Sequence, residues 1–140
     1  MFPHQKRRIL KEFQKNPQAK ITKPLSNSVQ FVMEDRSFNA ELPCNYPFYP
    51  PKMKVNEKRI SYAPYEFPQR LYNKYKKEQG CPCCTTMTCS GNWSPACGVI
   101  DIAKEYLSFI NKLKTYQKIK MFEKSKFPDD MIKEIISYLQ

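Results

Sequence analysis

Six of the chain's twelve prolines fall between Pro43 and Pro68, and this clustering limits the possible folds more than any other feature. Proline fixes φ near about −65° and has no N–H to donate, so neither a helix interior nor a central strand can cross such a stretch. Regular structure is therefore expected on either side of it. Upstream, Ile9, Leu10 and Phe13 fall at helical spacing with Lys6, Arg7, Arg8, Lys11 and Lys15 around them, which predicts a helix over 4–15. Asn16-Pro17 ends it. Residues 29–33 and 38–42 alternate in polarity and are joined by Glu34-Asp35-Arg36, as in an antiparallel hairpin. Met53 and Val55 can begin a third strand directly after Pro50-Pro51.

Downstream, residues 66–80 are basic and aromatic and predict either a short helix or an ordered loop. Residues 81–89 hold too much Pro and Thr for a helix. Ser94-Pro95 is a helix start, since proline is tolerated in the first turn. Val99, Ala103, Tyr106, Ile110 and Leu113 then predict a helix over 97–113. A Lys-rich stretch leads to Phe127-Pro128-Asp129-Asp130, which opens a last helix with Met131, Ile135 and Leu139 on one face. The plan is α+β: an N-terminal helix, a short antiparallel meander, a loop and C-terminal helices. At 140 residues the chain supports a single domain. Residues 1–126 are expected to form its core, and 127–140 a helix packed on that core.

Composition removes several chemistries. The single histidine, His4, leaves no Ser-His-Asp arrangement and no His-rich metal site. Three glycines cannot build a phosphate-cradling loop, and neither G-x-G-x-x-G nor G-x-x-x-x-G-K-[ST] occurs. No cofactor is expected. No apolar run approaches the roughly 20 residues of a membrane span, and nothing of signal-peptide length follows the basic start. A soluble, cytoplasmic chain is the expectation, with access to the nucleus also open.

The net charge of +11 is uneven. Residues 1–23 hold seven basic residues and one acidic, whereas 81–103 contain no Lys or Arg at all. A basic chain attracts polyanions. Lysines on helix faces serve mainly solvation, however, so nucleic acid is not the expected partner. Phe67, Tyr72 and Tyr75 interleave with Arg70, Lys74, Lys76 and Lys77, and such a mixture can stack bases. An ordered segment beside the cysteines is the preferred reading. Four of the six cysteines, Cys81, Cys83, Cys84 and Cys89, crowd into nine residues. In a reducing compartment that pattern points to a metal site or a reactive thiol rather than to disulfides.

Four segments, taken in order, resemble a ubiquitin-conjugating enzyme. Lys6-Arg7-Arg8-Ile9-Leu10-Lys11-Glu12-Phe13, followed by Asn16-Pro17, resembles the family's first helix and the turn after it. Asn45-Tyr46-Pro47-Phe48-Tyr49-Pro50-Pro51-Lys52 is similar to its Tyr-Pro-Phe-x-Pro-Pro-Lys turn. A cysteine then precedes Trp93-Ser94-Pro95-Ala96, similar to the Trp-Ser-Pro-Ala that heads the family's second helix. The likeness covers residues 6–113. The span between Pro17 and Tyr46 is short for the family. Tyr62-Ala63-Pro64-Tyr65 stands where the family has His-Pro-Asn, and an insertion over 66–80 follows. Such divergence fits a viral or fast-evolving member, acting in a host cell.

The resemblance implies transthiolation. A cysteine takes ubiquitin as a thioester from the activating enzyme and yields it to a substrate lysine or to a ligase. Only the thiolate is nucleophilic. Cys84 lies nine residues before Trp93 and Cys83 ten, both within the family's spacing. Cys84-Thr85-Thr86-Met87 fits the family's Cys-x-x-apolar pattern better, so Cys84 is the expected acceptor and Cys83 the alternative. In the family the Asn of His-Pro-Asn steadies its loop and is thought to stabilise the oxyanion. One such donor is worth about 10²–10³ in rate, and here Asn92, Thr85 or a backbone N–H would have to replace it. By the same resemblance Phe48, Pro95 and Ala96 would dock ligases. Arg7, Arg8 and Lys11 would meet the acidic surface of the activating enzyme. Trp93 is expected to anchor packing, and core packing is the alternative to docking for Phe48.

Three other readings stand beside this one. The chain could be an inactive binding module of the same fold, given the lost His-Pro-Asn. It could be a zinc-stabilised basic protein that binds nucleic acid, with Cys81, Cys83, Cys84 and Cys89 on the metal, since Cys84-x₄-Cys89 has a usable spacing. Cys44, Cys89 and Cys97 could simply be small buried hydrophobes. The tail 127–139 resembles the opening helix of an F-box without the rest of one.

Overall fold

The computed structural model describes residues 1–60, 67–89, 91–125 and 128–140. The fold is α+β, with four α-helices and one five-stranded antiparallel sheet among the described residues. The chain divides into two compact units. One comprises Met1–Tyr62 and Pro82–Tyr106; the other comprises Ala63–Cys81 and Leu107–Gln140.

The first unit opens with α1 (Pro3–Lys15), whose first residue needs no N–H partner and suits proline. Its inner face presents Ile9 and Phe13, while Leu10, counted with them from spacing, is about half exposed. The sheet is a meander in chain order: β1 (Lys20–Ile21), β2 (Ser28–Met33), β3 (Arg36–Glu41), β4 (Lys52–Val55) and β5 (Lys58–Arg59). The alternation foreseen for β2 and β3 places Val29, Phe31 and Met33 on the face that also carries Phe38 and Ala40. Register pairs Phe31 with Phe38 and Phe38 with Val55, so apolar residues line up across three strands. Phe31 stacks on Phe38 at 5.2 Å and meets the edge of Phe13 at 5.1 Å.

Two two-residue turns close this meander, Glu34-Asp35 and Asn56-Glu57, all four residues with positive φ. That conformation matches the right-handed twist of the strands they join. Arg36, expected in the first loop, is instead the first residue of β3. The two-residue strands β1 and β5 were not foreseen, because neither is long enough to show a period.

The helix α3 (Val99–Glu123) runs well past the residue-113 limit suggested by spacing. Its periodicity continues through Tyr116, which is buried, while the lysines between occupy other faces. Its first two turns bury Val99, Ile102, Ala103 and Tyr106 in the first unit. Tyr106 meets the edge of Phe38 at 6.4 Å.

The second unit holds α2 (Gln69–Gln79), the rest of α3, and α4 (Asp129–Leu139). The segment 66–80 thus resolves as a helix over most of its length. Tyr75 packs edge-on against Phe109 at 5.9 Å and Tyr116 at 5.3 Å, and Phe67 and Tyr72 are buried. These aromatic rings serve packing. Tyr116 donates a hydrogen bond to Glu78 (2.7 Å), and burial together with that bond pushes its hydroxyl pKa up to about 12. Asp129 and Asp130 sit in the first turn of α4, where negative charge suits the helix dipole. No residue of α4 is buried.

Candidate functional site

Two surfaces of the first unit gather the residues singled out by sequence: a basic groove along α1 and a turn that presents thiols. The groove has a volume of about 620 Å³, and its lining includes Arg7, Arg8, Lys11, Pro47, Ala96 and Gly98. Three expected docking residues on α1 therefore share one surface with Ala96, more than 80 positions away in sequence. Arg8 ties the walls together. Its Nη2 donates to the carbonyl of Pro95 and, at 3.0 Å, to that of Cys97, and its guanidinium lies 5.6 Å from the Tyr46 ring centre. Pro95 and Ala96 are exposed. Phe48, next to the groove residue Pro47, is 71% exposed, which rules out core packing as its role. Trp93 is half-buried and donates from Nε1 to the Pro47 carbonyl at 2.8 Å, consistent with an anchor.

The floor of the groove depends on Glu12. The first turn of α3 lacks a side chain at its cap, because Gly98 stands there. Asp101 accepts a hydrogen bond from Gly98 N–H at 2.9 Å, which is one half of a capping box. Glu12 of α1 supplies the other half, accepting from Ile100 N–H at 2.7 Å. Gly98 is required by this approach, since a Cβ there would lie 2.2 Å from Glu12 Oε1. Burial raises the Glu12 carboxyl above its usual value; the Ile100 N–H opposes that rise and the Asp101 charge adds to it. At the other end of α1, Gln5 is buried, with Nε2 within 3.1–3.3 Å of the carbonyls of Pro43, Cys44 and Tyr46. Those contacts fasten the turn that carries Phe48. The Tyr46–Pro47 peptide bond in that turn is cis.

The thiol turn is a single 3₁₀ turn, Pro82–Thr85. Cys83 and Cys84 are both exposed, with their Sγ atoms 3.9 Å apart. Asn92 holds the turn: its Nδ2 donates to the carbonyls of Cys84 and Thr86, each at 3.0 Å. Thr86 is buried and donates to the Cys83 carbonyl at 3.1 Å. Met87 N–H reaches both oxygens of Glu105 on α3 at 3.2 Å.

The reading of Cys44, Cys89 and Cys97 as buried hydrophobes is corrected here: Cys44 is exposed and the other two are half-buried. Each sits in a turn held through its backbone, with Cys44 O accepting from Gln5, Cys97 O from Arg8, and Cys89 N–H donating to Thr86 O. The side chains are therefore left toward the surface. Tyr62-Ala63-Pro64-Tyr65 lies outside the described residues.

Sequence reasoning missed Glu12 and Gln5. Gln5 belongs to no motif and the first-helix motif gave Glu12 no role, while the carbonyls that Gln5 Nε2 reaches and the Ile100 N–H that Glu12 accepts from lie at least 38 positions away. Beyond the geometry, no family model, no curated protein and no solved structure matches the chain.

Proposed function

We propose that the chain is a divergent ubiquitin-conjugating enzyme with the corresponding fold, charging Cys84 and docking its partners along α1. The observation that carries this reading is the groove, which gathers Arg7, Arg8 and Lys11 with Ala96 on the unit that also presents Cys84. A basic groove with an exposed Phe48 beside it suits partners that offer acidic and apolar surface together. Cys84 is accessible on a turn that Asn92 keeps in place, as a thiol approached by two large proteins must be.

In the reaction, the Cys84 thiolate attacks the thioester carbonyl carbon of ubiquitin carried by the activating enzyme. A new C–S bond forms, the old one breaks, and the activating enzyme's sulfur leaves as a thiolate. A substrate amine or a ligase thiol later attacks the same carbon and releases Cys84.

Incubation with activating enzyme, ATP and ubiquitin should give an adduct on non-reducing gels that a thiol reagent removes. Cys84→Ser should trap a reductant-resistant oxyester, and Cys83→Ser should leave the thioester intact. The reverse pattern moves the acceptor to Cys83. Absence of any thiol-sensitive adduct sinks the reading.

One observation favours a second reading, an inactive binding module of the same fold. Nδ2 carries two hydrogens, and Asn92 directs it at two backbone carbonyls, so this amide steadies the turn without also serving an oxyanion. Discharge of ubiquitin from the charged chain to free lysine would refute that module.

A further inference from the structure

We propose that Cys83 and Cys84 form a reversible modification site, where a low-molecular-weight disulfide of the glutathione class oxidises the two neighbouring thiols to one intrachain disulfide. Closing that bond removes the Cys84 nucleophile. Only the consequence for ubiquitin charging rests on the function proposed above; the site itself does not.

Both cysteines belong to one compact unit and to one 3₁₀ turn, Pro82–Thr85. Both are exposed, so a soluble oxidant can reach either sulfur. Their Sγ atoms lie 3.9 Å apart. The backbone is fastened at each residue: Thr86 Oγ1 donates to the Cys83 carbonyl at 3.1 Å, and Asn92 Nδ2 to the Cys84 carbonyl at 3.0 Å. Those bonds hold the main chain and leave the two side chains to turn. A disulfide needs its sulfurs at about 2.05 Å, so about 2 Å must be closed. Rotation about a Cα–Cβ bond between staggered positions moves a sulfur that far.

The reaction runs in two exchanges. The thiolate of one cysteine attacks a sulfur of oxidised glutathione; a mixed S–S bond forms, the oxidant's S–S bond breaks, and one glutathione thiolate leaves. The other cysteine's thiolate then attacks the protein sulfur of that mixed disulfide, forming the Cys83–Cys84 bond and releasing the second glutathione. The protein thiols lose two electrons and two protons, and the oxidant gains both as two thiols. The second exchange is intramolecular, with the attacking sulfur already beside its target, so it outruns attack by thiol from solution. Adjacent Cα atoms stand about 3.8 Å apart, whereas ordinary disulfides span about 4.4–6.8 Å. The closed form is therefore strained, and strained or exposed disulfides are the ones that thiols reduce readily. An excess of reduced glutathione reopens it. Cys84 cannot attack a thioester while its sulfur is bonded to Cys83, so the pair would act as a redox mask on the acceptor.

The test uses the full chain with oxidised glutathione as the probe. Mass spectrometry without reductant should find the peptide carrying Cys83 and Cys84 lighter by two hydrogens, linked between those residues and free of glutathione there. Excess reduced glutathione should restore both thiols. Cys83→Ser removes the resolving thiol, so the glutathione adduct on Cys84 should rise at least about tenfold over the wild type. Cys81→Ser and Cys89→Ser should leave the Cys83–Cys84 linkage unchanged. A wild-type chain that keeps glutathione on Cys84, or that stays unmodified, overturns the site, as does linkage of either residue to Cys81 or Cys89. Where the reduced chain accepts ubiquitin, oxidation should abolish charging and reduction should restore it; charging that persists in the linked form overturns the mask. A chain that never accepts ubiquitin refutes the enzyme reading alone; the linkage and adduct arms still decide the site.

Discussion

Between Ser28 and Val55 the chain holds its shape through repetition, whereas between Pro82 and Asn92 it depends on single hydrogen bonds. In the sheet, each strand sends every second side chain inward, and Phe31, Phe38 and Val55 stand side by side across three strands. Among the described residues of the thiol turn only Thr86 is buried, and one amide, Asn92, spans two carbonyls. The sheet therefore shares its free energy over many apolar contacts. The turn's order can be lost with one side chain, and its Cys83 and Cys84 thiols are exposed.

The largest effect should come from the sheet. Phe38→Ala removes the ring that stacks on Phe31 and meets Tyr106, and such truncations cost about 3–5 kcal/mol. Urea unfolding should show that loss as a lowered midpoint, with the thiol turn melting together with the rest. A loss below about 1 kcal/mol would mean that the stacked rings do not hold this core.

Asn92→Ala should behave differently. Two hydrogen bonds to turn carbonyls are worth about 1–2 kcal/mol together, and solvent can replace them at this exposed position. Cleavage within the turn by a low dose of protease should rise several-fold, while the global urea midpoint moves little. A midpoint shift as large as that of Phe38→Ala would erase the distinction between the two regions.

The same difference decides what could be read from sequence. Strands β2, β3 and β4 and helix α1 were legible because burial on one face leaves a period of 2 or 3.6 in the residues. Strands β1 and β5 left none, since two residues cannot alternate. The lysines between 112 and 124 hid the end of α3, although Tyr116 keeps the apolar spacing. At the site, local motifs brought Cys83, Cys84, Pro95 and Ala96 into view. Glu12 and Gln5 stayed hidden, because a capping bond spanning 88 positions or a buried amide serving a distant turn has no local signature. Gly98 was equally mute, as its need for space arises only once Glu12 arrives.

That dependence can be tested by a double-mutant cycle, which asks whether the groove resembles the sheet or the turn. Gly98→Ala should push the Glu12 carboxylate away from Ile100 N–H and cost about 1 kcal/mol, the usual worth of a helix cap. In a Glu12→Ala background the same substitution meets no clash. It should then be neutral, or stabilising by about 0.4–1 kcal/mol through the unfolded chain. Equal costs in both backgrounds would show that Glu12 does not impose the glycine.

The smallest effect concerns the charge on Glu12. Its folded carboxyl titrates above the ordinary 4.5, chiefly because it is buried, so the folded protein holds this proton more tightly than the unfolded chain does. The associated stability is fully present below pH 4.5 and is lost as pH rises through the folded value. Glu12→Gln keeps an acceptor oxygen for Ile100 N–H and carries no charge. Relative to the wild type, its unfolding midpoint should therefore rise as pH climbs from 4.5 through the folded value and then level off. A variant that instead lost ground as pH rose would mean that the ionised carboxylate gains more from the α3 N-terminus than it loses by burial. Glu12 would then be an electrostatic clamp on the groove, rather than a cap that stays despite its charge.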